Sequence, residues 1–121
     1  MERVALVTGC GKPDGMGQAI ARRLARDGMR VVVSDVEPTG IANDDQRGQR
    51  PPEGWAGVET LVAQLEEAGS SAHAVFGDIS VEADARRMVS EAVETYGRLD
   101  VLVNNAAAPQ TDDRADIEDV P

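Results

Sequence analysis

The sequence predicts an α/β fold in which a parallel sheet carries helices on both faces. Three observations lead there. Short, nearly continuous apolar runs recur along the chain, stretches of helical spacing separate them, and glycines punctuate the ends of both. Runs that are apolar throughout suit strands buried on both sides. Strand–helix–strand, repeated three times, implies right-handed crossovers.

Each element has its own justification. Val4-Ala5-Leu6-Val7-Thr8 reads as the first strand, ended by Gly9 and Gly11. From Gly15 to Arg26 the spacing becomes helical, with Met16, Ile20 and Leu24 sharing a face with Ala19. Gln18, Arg22 and Arg26 are expected to point away, and Gly28 stands where a left-handed cap would end the helix. Arg30 to Asp35 is a second strand with β-branched residues at its centre. Glu37 to Gly57 is rich in Pro, Gly, Asn and Asp and reads as a loop. Its length is unusual, since about two to six residues is common for such a connection. Val58, Leu61, Val62 and Leu65 resume helical spacing up to Gly69, and Ala72 to Phe76 forms a third strand. Ser80 is the expected N-cap of a helix carrying Ala85, Met88, Val89, Ala92, Val93 and Tyr96 on one face, closed by Gly97. Leu99 to Val103 is the fourth strand. The expected division is a βαβαβαβ unit over residues 1–108 and an acidic loop over 109–121.

Composition narrows the function. With 121 residues the chain is one domain or part of one. A net charge of −10, a single Lys and scattered Arg make nucleic acid and anionic membrane poor partners. One Cys and one His exclude an internal disulfide and a structural zinc site built on them. No apolar run approaches membrane-spanning length, so a cytoplasmic location is expected. Cys10 has no His near it in sequence and is not expected to be a nucleophile. His73 and the Asp44-Asp45 and Asp112-Asp113 pairs invite only structural readings.

The segment from Thr8 to Gly17 is where chemistry enters. A glycine-rich turn between a first strand and a first helix lets backbone approach a pyrophosphate, held by the amides of the helix's first turn. The six-residue G-x-G-x-x-G pattern fails, because counting from Gly9 ends on Asp14 and from Gly15 on Ile20. Asp35 strengthens the case. It ends the second strand 18 positions after Gly17, near the spacing at which an acid accepts from both hydroxyls of an adenosine ribose. It would also repel a 2′-phosphate, by about 4 kcal/mol for unit charges about 4 Å apart at intermediate dielectric. Lys12 in the loop argues the other way. NAD is therefore expected over NADP.

Val7-Thr8-Gly9 with Gly15-Met16-Gly17, Asp35, Gly77-Asp78-Ile79-Ser80, and Leu102-Val103-Asn104-Asn105-Ala106-Ala107 together resemble the short-chain dehydrogenases/reductases. The resemblance runs from residue 3 to 108. It implies a Rossmann-type, doubly wound parallel sheet of strand order 3-2-1-4, the N-terminal half of the family's fold. It assigns Gly9, Gly15 and Gly17 to the pyrophosphate loop and Asp35 to the ribose, and Gly11, Lys12 and Met16 in the same loop join them as cofactor-binding candidates. Asp78 and Ile79 would lie against adenine, Asn104 would brace the central strands, and Ala106 would let the cofactor ribose approach.

Three departures stand out. Gly9 to Gly15 is two residues longer than the family's spacing, so either the loop bulges with Gly9 in place or Gly11-x-x-x-Gly15-x-Gly17 serves instead. The loop of residues 37–57 is long, and Trp55 or its neighbouring arginines are candidates to wrap the adenosine end. Ala107 replaces the usual Gly.

The resemblance also implies hydride transfer between nicotinamide and an alcohol or carbonyl, and a homo-oligomer when full length. The family's Ser and Tyr-x-x-x-Lys are missing, since the only Tyr is Tyr96 and the only Lys is Lys12. The simplest reading is a chain cut short after the fourth strand, inactive alone and prone to self-association through its uncovered edge. A non-catalytic NAD-binding module and an acidic flavin-binding domain are the competing readings.

Overall fold

A computed structural model of the chain describes residues 2–12, 15–37 and 56–106. Four strands and three helices alternate: β1 (Val4–Val7), α1 (Met16–Arg26), β2 (Arg30–Asp35), α2 (Val58–Glu67), β3 (Ala72–Phe76), α3 (Glu82–Tyr96) and β4 (Val101–Val103). All pairings are parallel and the sheet order is β3-β2-β1-β4, as expected. Leu6 is in register with Val32 and Leu102, and Val32 in turn with His73.

Strand alternation divides the core in two. Val7, Val31 and Val33 face α1 and α2, where Ala21, Ala25, Val58, Leu61 and Leu65 cover them. Val4, Leu6, Val32 and Val75 face α3 and meet Met88 and Ala92, with Tyr96 and Leu99 at the border. Among the described residues one face thus has two helices and the other one. All four β1 residues are fully buried, as the unbroken apolar run predicts for a central parallel strand.

Several local expectations change. Met16 and Ala19 are exposed, while Gly17, Gln18, Ala21 and Ala25 are the buried residues of α1. The small residues bring the helix close to the sheet, and Ile20 and Leu24 pack at the edge of the same core. Gln18 is buried rather than outward because its amide donates to the Lys12 carbonyl, tying the loop to the helix. Ser80 does not cap α3. The N-cap is Val81, without a side-chain bond, and the Ser80 hydroxyl instead turns back to Asp78. The fourth strand begins at Val101 rather than Leu99, because Asp100 is drawn into bonds with Val4 and Arg98. Val89 and Val93 are exposed at 38% and 41%, so the inward face of α3 narrows to Met88 and Ala92. Gly97 ends that helix in the left-handed region, φ 82°, as predicted.

The expectations for Pro13, Asp14, Asp44-Asp45, Trp55, Ala107 and residues 109–121 lie outside the described residues. The same holds for the loop of residues 37–57 apart from its ends.

Candidate functional site

The crossover from β1 to β2 passes over one face of the sheet, while the path into β4 passes over the other. The carboxyl ends of β1 and β4 therefore diverge into a crevice, the usual place for a ligand in an open parallel sheet. The residues singled out from the sequence lie at the carboxyl ends of the four strands and at the start of α1.

Thr8 organises the crevice. Its hydroxyl donates to the Val103 carbonyl at 3.3 Å and accepts from the amides of Asn105 and Ala106 at 3.1 and 3.0 Å. The Asn105 side-chain amide in turn donates to the carbonyls of Thr8 and Gly9, at 3.1 and 3.2 Å. The strand bracing that the resemblance assigns to Asn104 is thus made by Asn105, and Asn104 is exposed. The correction follows from strand period: one position along the chain exchanges the sides to which side chains point.

Glycine is required at two points here. Gly9 has φ 73°, and a Cβ on it would sit 2.9 Å from the Ala106 Cα. A Cβ on Gly17 would sit 2.5 Å from the Gly9 carbonyl oxygen and 2.8 Å from Asn105 Nδ2. Gly9, Gly17, Asn105 and Ala106 therefore form one close-packed cluster joining the loop, α1 and the end of β4. This favours the loop reading in which Gly9 keeps its place.

The start of the loop is held by acid and amide groups. One Asp35 carboxylate oxygen accepts from the Gly11 amide at 2.8 Å, and the other from the Val36 amide at 2.8 Å. The tip of β2 is thereby fastened to the glycine loop at Gly11. Gly15 is the N-cap of α1 in extended conformation, with no side-chain cap and no acid in the first turn. With no cap among the described residues, the first turn presents the amides of Met16 and Gly17 and the positive end of the helix dipole to an anion. Met16, at 72% exposure, opens that turn.

The far end of the crevice lies beyond β3. Asp78 is half-buried, and one of its oxygens accepts from both the amide and the hydroxyl of Ser80, at 2.9 and 2.6 Å. Those bonds hold its carboxyl below the usual range. Ile79 is 43% exposed beside it, an apolar surface at the end of the crevice.

Cys10 faces away from the crevice. It is fully buried in the α1–α2 core, and burial pushes its thiol up to about 12, so it is no thiolate nucleophile. Tyr96 packs at the opposite end of the sheet, beneath Arg30 at 5.5 Å. Among the described residues no group of acids, His and Cys is gathered to hold a metal. Sequence reasoning missed Asn105 and Gln18 as site residues and left Thr8 in the motif without a role. The signal for Asn105 was present in its side-by-side pair with Asn104, which sequence alone does not orient.

Comparison with known proteins agrees with this fold. A family profile described as short chain dehydrogenase matches residues 53–120. A protein of Streptomyces violaceoruber, named for ketoacyl reduction in a granaticin polyketide synthase, is 43% identical over 114 residues, covering 94% of this chain and 37% of its own. An L-rhamnose 1-dehydrogenase (NAD(P)(+)) of Azotobacter vinelandii is 36% identical over 106 residues, covering 88% and 36%. Among solved structures, a short chain dehydrogenase from Mycobacterium smegmatis superposes with TM-score 0.68 at 30% identity, covering 88% of this chain and 38% of that one. An actinorhodin polyketide ketoreductase with NADPH gives 0.63 at 35% identity, covering 89% and 34%. The chain spans a little over a third of the length of the curated relatives it matches.

Proposed function

This chain belongs to the short-chain dehydrogenases/reductases, and from that premise we propose that it binds NAD, in preference to NADP, across the carboxyl ends of its strands. It is the cofactor-binding part of an oxidoreductase that moves hydride between nicotinamide and a small alcohol or carbonyl. The observation that carries the reading is the Asp35 carboxylate fastened to the Gly11 amide, which puts an acid at the β2 tip directly against the glycine loop.

The residues present fit such a cofactor. The packing of Gly9 and Gly17 leaves no room for side chains where a diphosphate would approach. The amides of Met16 and Gly17 in the first turn of α1 would hold its charge, with the glycine loop around Gly11 and Lys12 bordering it. Asp35 would accept from the adenosine ribose hydroxyls, each charge-assisted bond contributing about 1.5–3 kcal/mol. Asp78 and Ile79 would border adenine, and Ala106 would flank the second ribose beside Gly9. Asn104, exposed at the end of β4, has no such contact assigned by the packing and is the weakest member of the set. Nicotinamide supplies hydride chemistry when bound. The described residues bind and orient, and none of them forms a Ser, Tyr and Lys constellation, since Tyr96 lies at the other end of the sheet.

NADP is the second reading. It is favoured by the cation Lys12 in the glycine loop and by related structures with NADPH and with NADP. Isothermal titration with NAD, NADP and FMN separates the alternatives. Asp35→Asn keeps an acceptor for the Gly11 amide but removes the charge, so it should close the NAD–NADP gap by at least about tenfold. Equal loss for both cofactors would remove the ribose assignment, and preference for FMN would favour a flavin domain. A Ser and a Tyr-x-x-x-Lys in the coding region beyond Pro121 would support catalysis over a purely binding role.

A further inference from the structure

The segment that leaves β3 is bonded on both sides. Towards β2, the Gly77 amide donates to the Asp35 carbonyl at 3.2 Å. Towards α3, the Asp78 amide donates to an Asp84 carboxylate oxygen at 2.9 Å, and Arg87 donates to the Phe76 carbonyl at 2.5 Å. Arg87 lies 3.8 Å from Asp84 and 3.2 Å from Glu91, which keeps its guanidinium over the strand end. The fit is close, since a Cβ on Gly77 would stand 2.9 Å from Arg87 Nη2 and 3.0 Å from the Met88 sulfur.

These contacts are poorly explained as stabilisers of the helix. Arg87 and Asp84 are partly exposed, and exposed ion pairs contribute little. Their distinctive feature is the target. Both side chains grip backbone groups of Phe76 and Asp78, in the same short segment whose other amide is bonded to Asp35. We propose that Asp84 and Arg87 are positioning residues that fix the Gly77–Ile79 segment relative to Asp35, setting the distance between the adenine-bordering surface and the ribose acid. Preorganising a recognition segment increases affinity by removing an ordering cost at binding. This rests on the adenine dinucleotide reading above.

The test is isothermal titration of the chain with ADP and with NAD. Asp84→Ala should weaken both by about tenfold, the effect of one lost hydrogen bond to a charged group. Asp84→Asn keeps a carbonyl acceptor for the Asp78 amide and should bind within about twofold of wild type. A role confined to helix electrostatics predicts the opposite pattern, with Asn as weak as Ala because both lose the charge. Should Asp84→Ala not fold, Arg87→Met carries the same expectation and Arg87→Lys, which still donates to the Phe76 carbonyl, the rescue. Wild-type affinity in the alanine or methionine variant, or no rescue by the conservative one, overturns the positioning role alone. Failure of the wild-type chain to bind ADP overturns the cofactor reading and this inference with it.

Discussion

Replacing Gly17 with Ala sets two physical effects against each other. In an unobstructed helix interior the change stabilises by about 0.5–1 kcal/mol, because Ala loses less backbone freedom on folding. Here the new methyl would lie 2.5 Å from the Gly9 carbonyl oxygen and 2.8 Å from Asn105 Nδ2. Neither neighbour is the free end of a flexible chain, since the two are hydrogen-bonded to each other at 3.2 Å. Relieving the clash displaces either the glycine loop or the Asn105 brace, and overpacking of this kind costs about 1–3 kcal/mol. The net expectation is destabilisation by about 1–2 kcal/mol, obtained by setting the propensity gain against the clash. Urea unfolding followed by circular dichroism reads it as a midpoint lower by roughly 1 M with an unchanged slope. NAD affinity should fall with it, because the same displacement moves the amides that would meet the diphosphate. A midpoint raised above wild type would refute the close packing of loop, helix and β4 end on which the site depends.

Other expectations follow from the same geometry. Asn105→Ala leaves the Thr8 and Gly9 carbonyls without their donor and should cost about 1–3 kcal/mol in urea unfolding, whereas Asn104→Ala should change stability by no more than about 0.5 kcal/mol. Cys10 is neutral in the fold up to about 12, above its ordinary value of 9.0, so the unfolded chain loses this proton first. Its contribution is therefore full below pH 9.0 and declines as pH rises towards 12. The stability difference between wild type and Cys10→Ala should shrink across that interval, and a thiol reagent at pH 8 should label Cys10 only in denaturant. Among the described residues β4 pairs only with β1, and Leu102 is 48% exposed on the face that α3 alone covers. The 121-residue polypeptide should self-associate in sedimentation velocity, and Leu102→Lys should reduce this; a monomeric wild type would contradict it.

Much of this architecture is readable from residue order because single positions carry unambiguous physics. The apolar run of β1, the β-branched centre of β2 and Gly97 each admit one reading, and the structure has them so. The α1 face was misread because hydrophobicity is a poor guide where close approach matters: Gly17, Ala21 and Ala25 make the contact, while Met16 at the helix start lies open. Ser80 and Asn105 show a second limit. A polar side chain at an element's end has several backbone groups within reach, and the choice depends on partners distant in sequence. Asn105 bonds to residues 97 and 96 positions away. The Asp35–Gly11 bond is equally hidden, because the sequence places both groups near the strand ends without showing that the Gly11 amide reaches the acid.

The most direct test of the dinucleotide site is residue-resolved amide NMR of the chain titrated with NAD. The expected shifts fall on Gly9, Gly11, Gly15 to Gly17, Asp35, Asp78, Ile79 and Ala106, all beyond the carboxyl ends of the strands, and leave Arg30, Tyr96 and Asp100 at the other end unmoved. Perturbations absent from those amides, or centred on the opposite end of the sheet, would contradict the account.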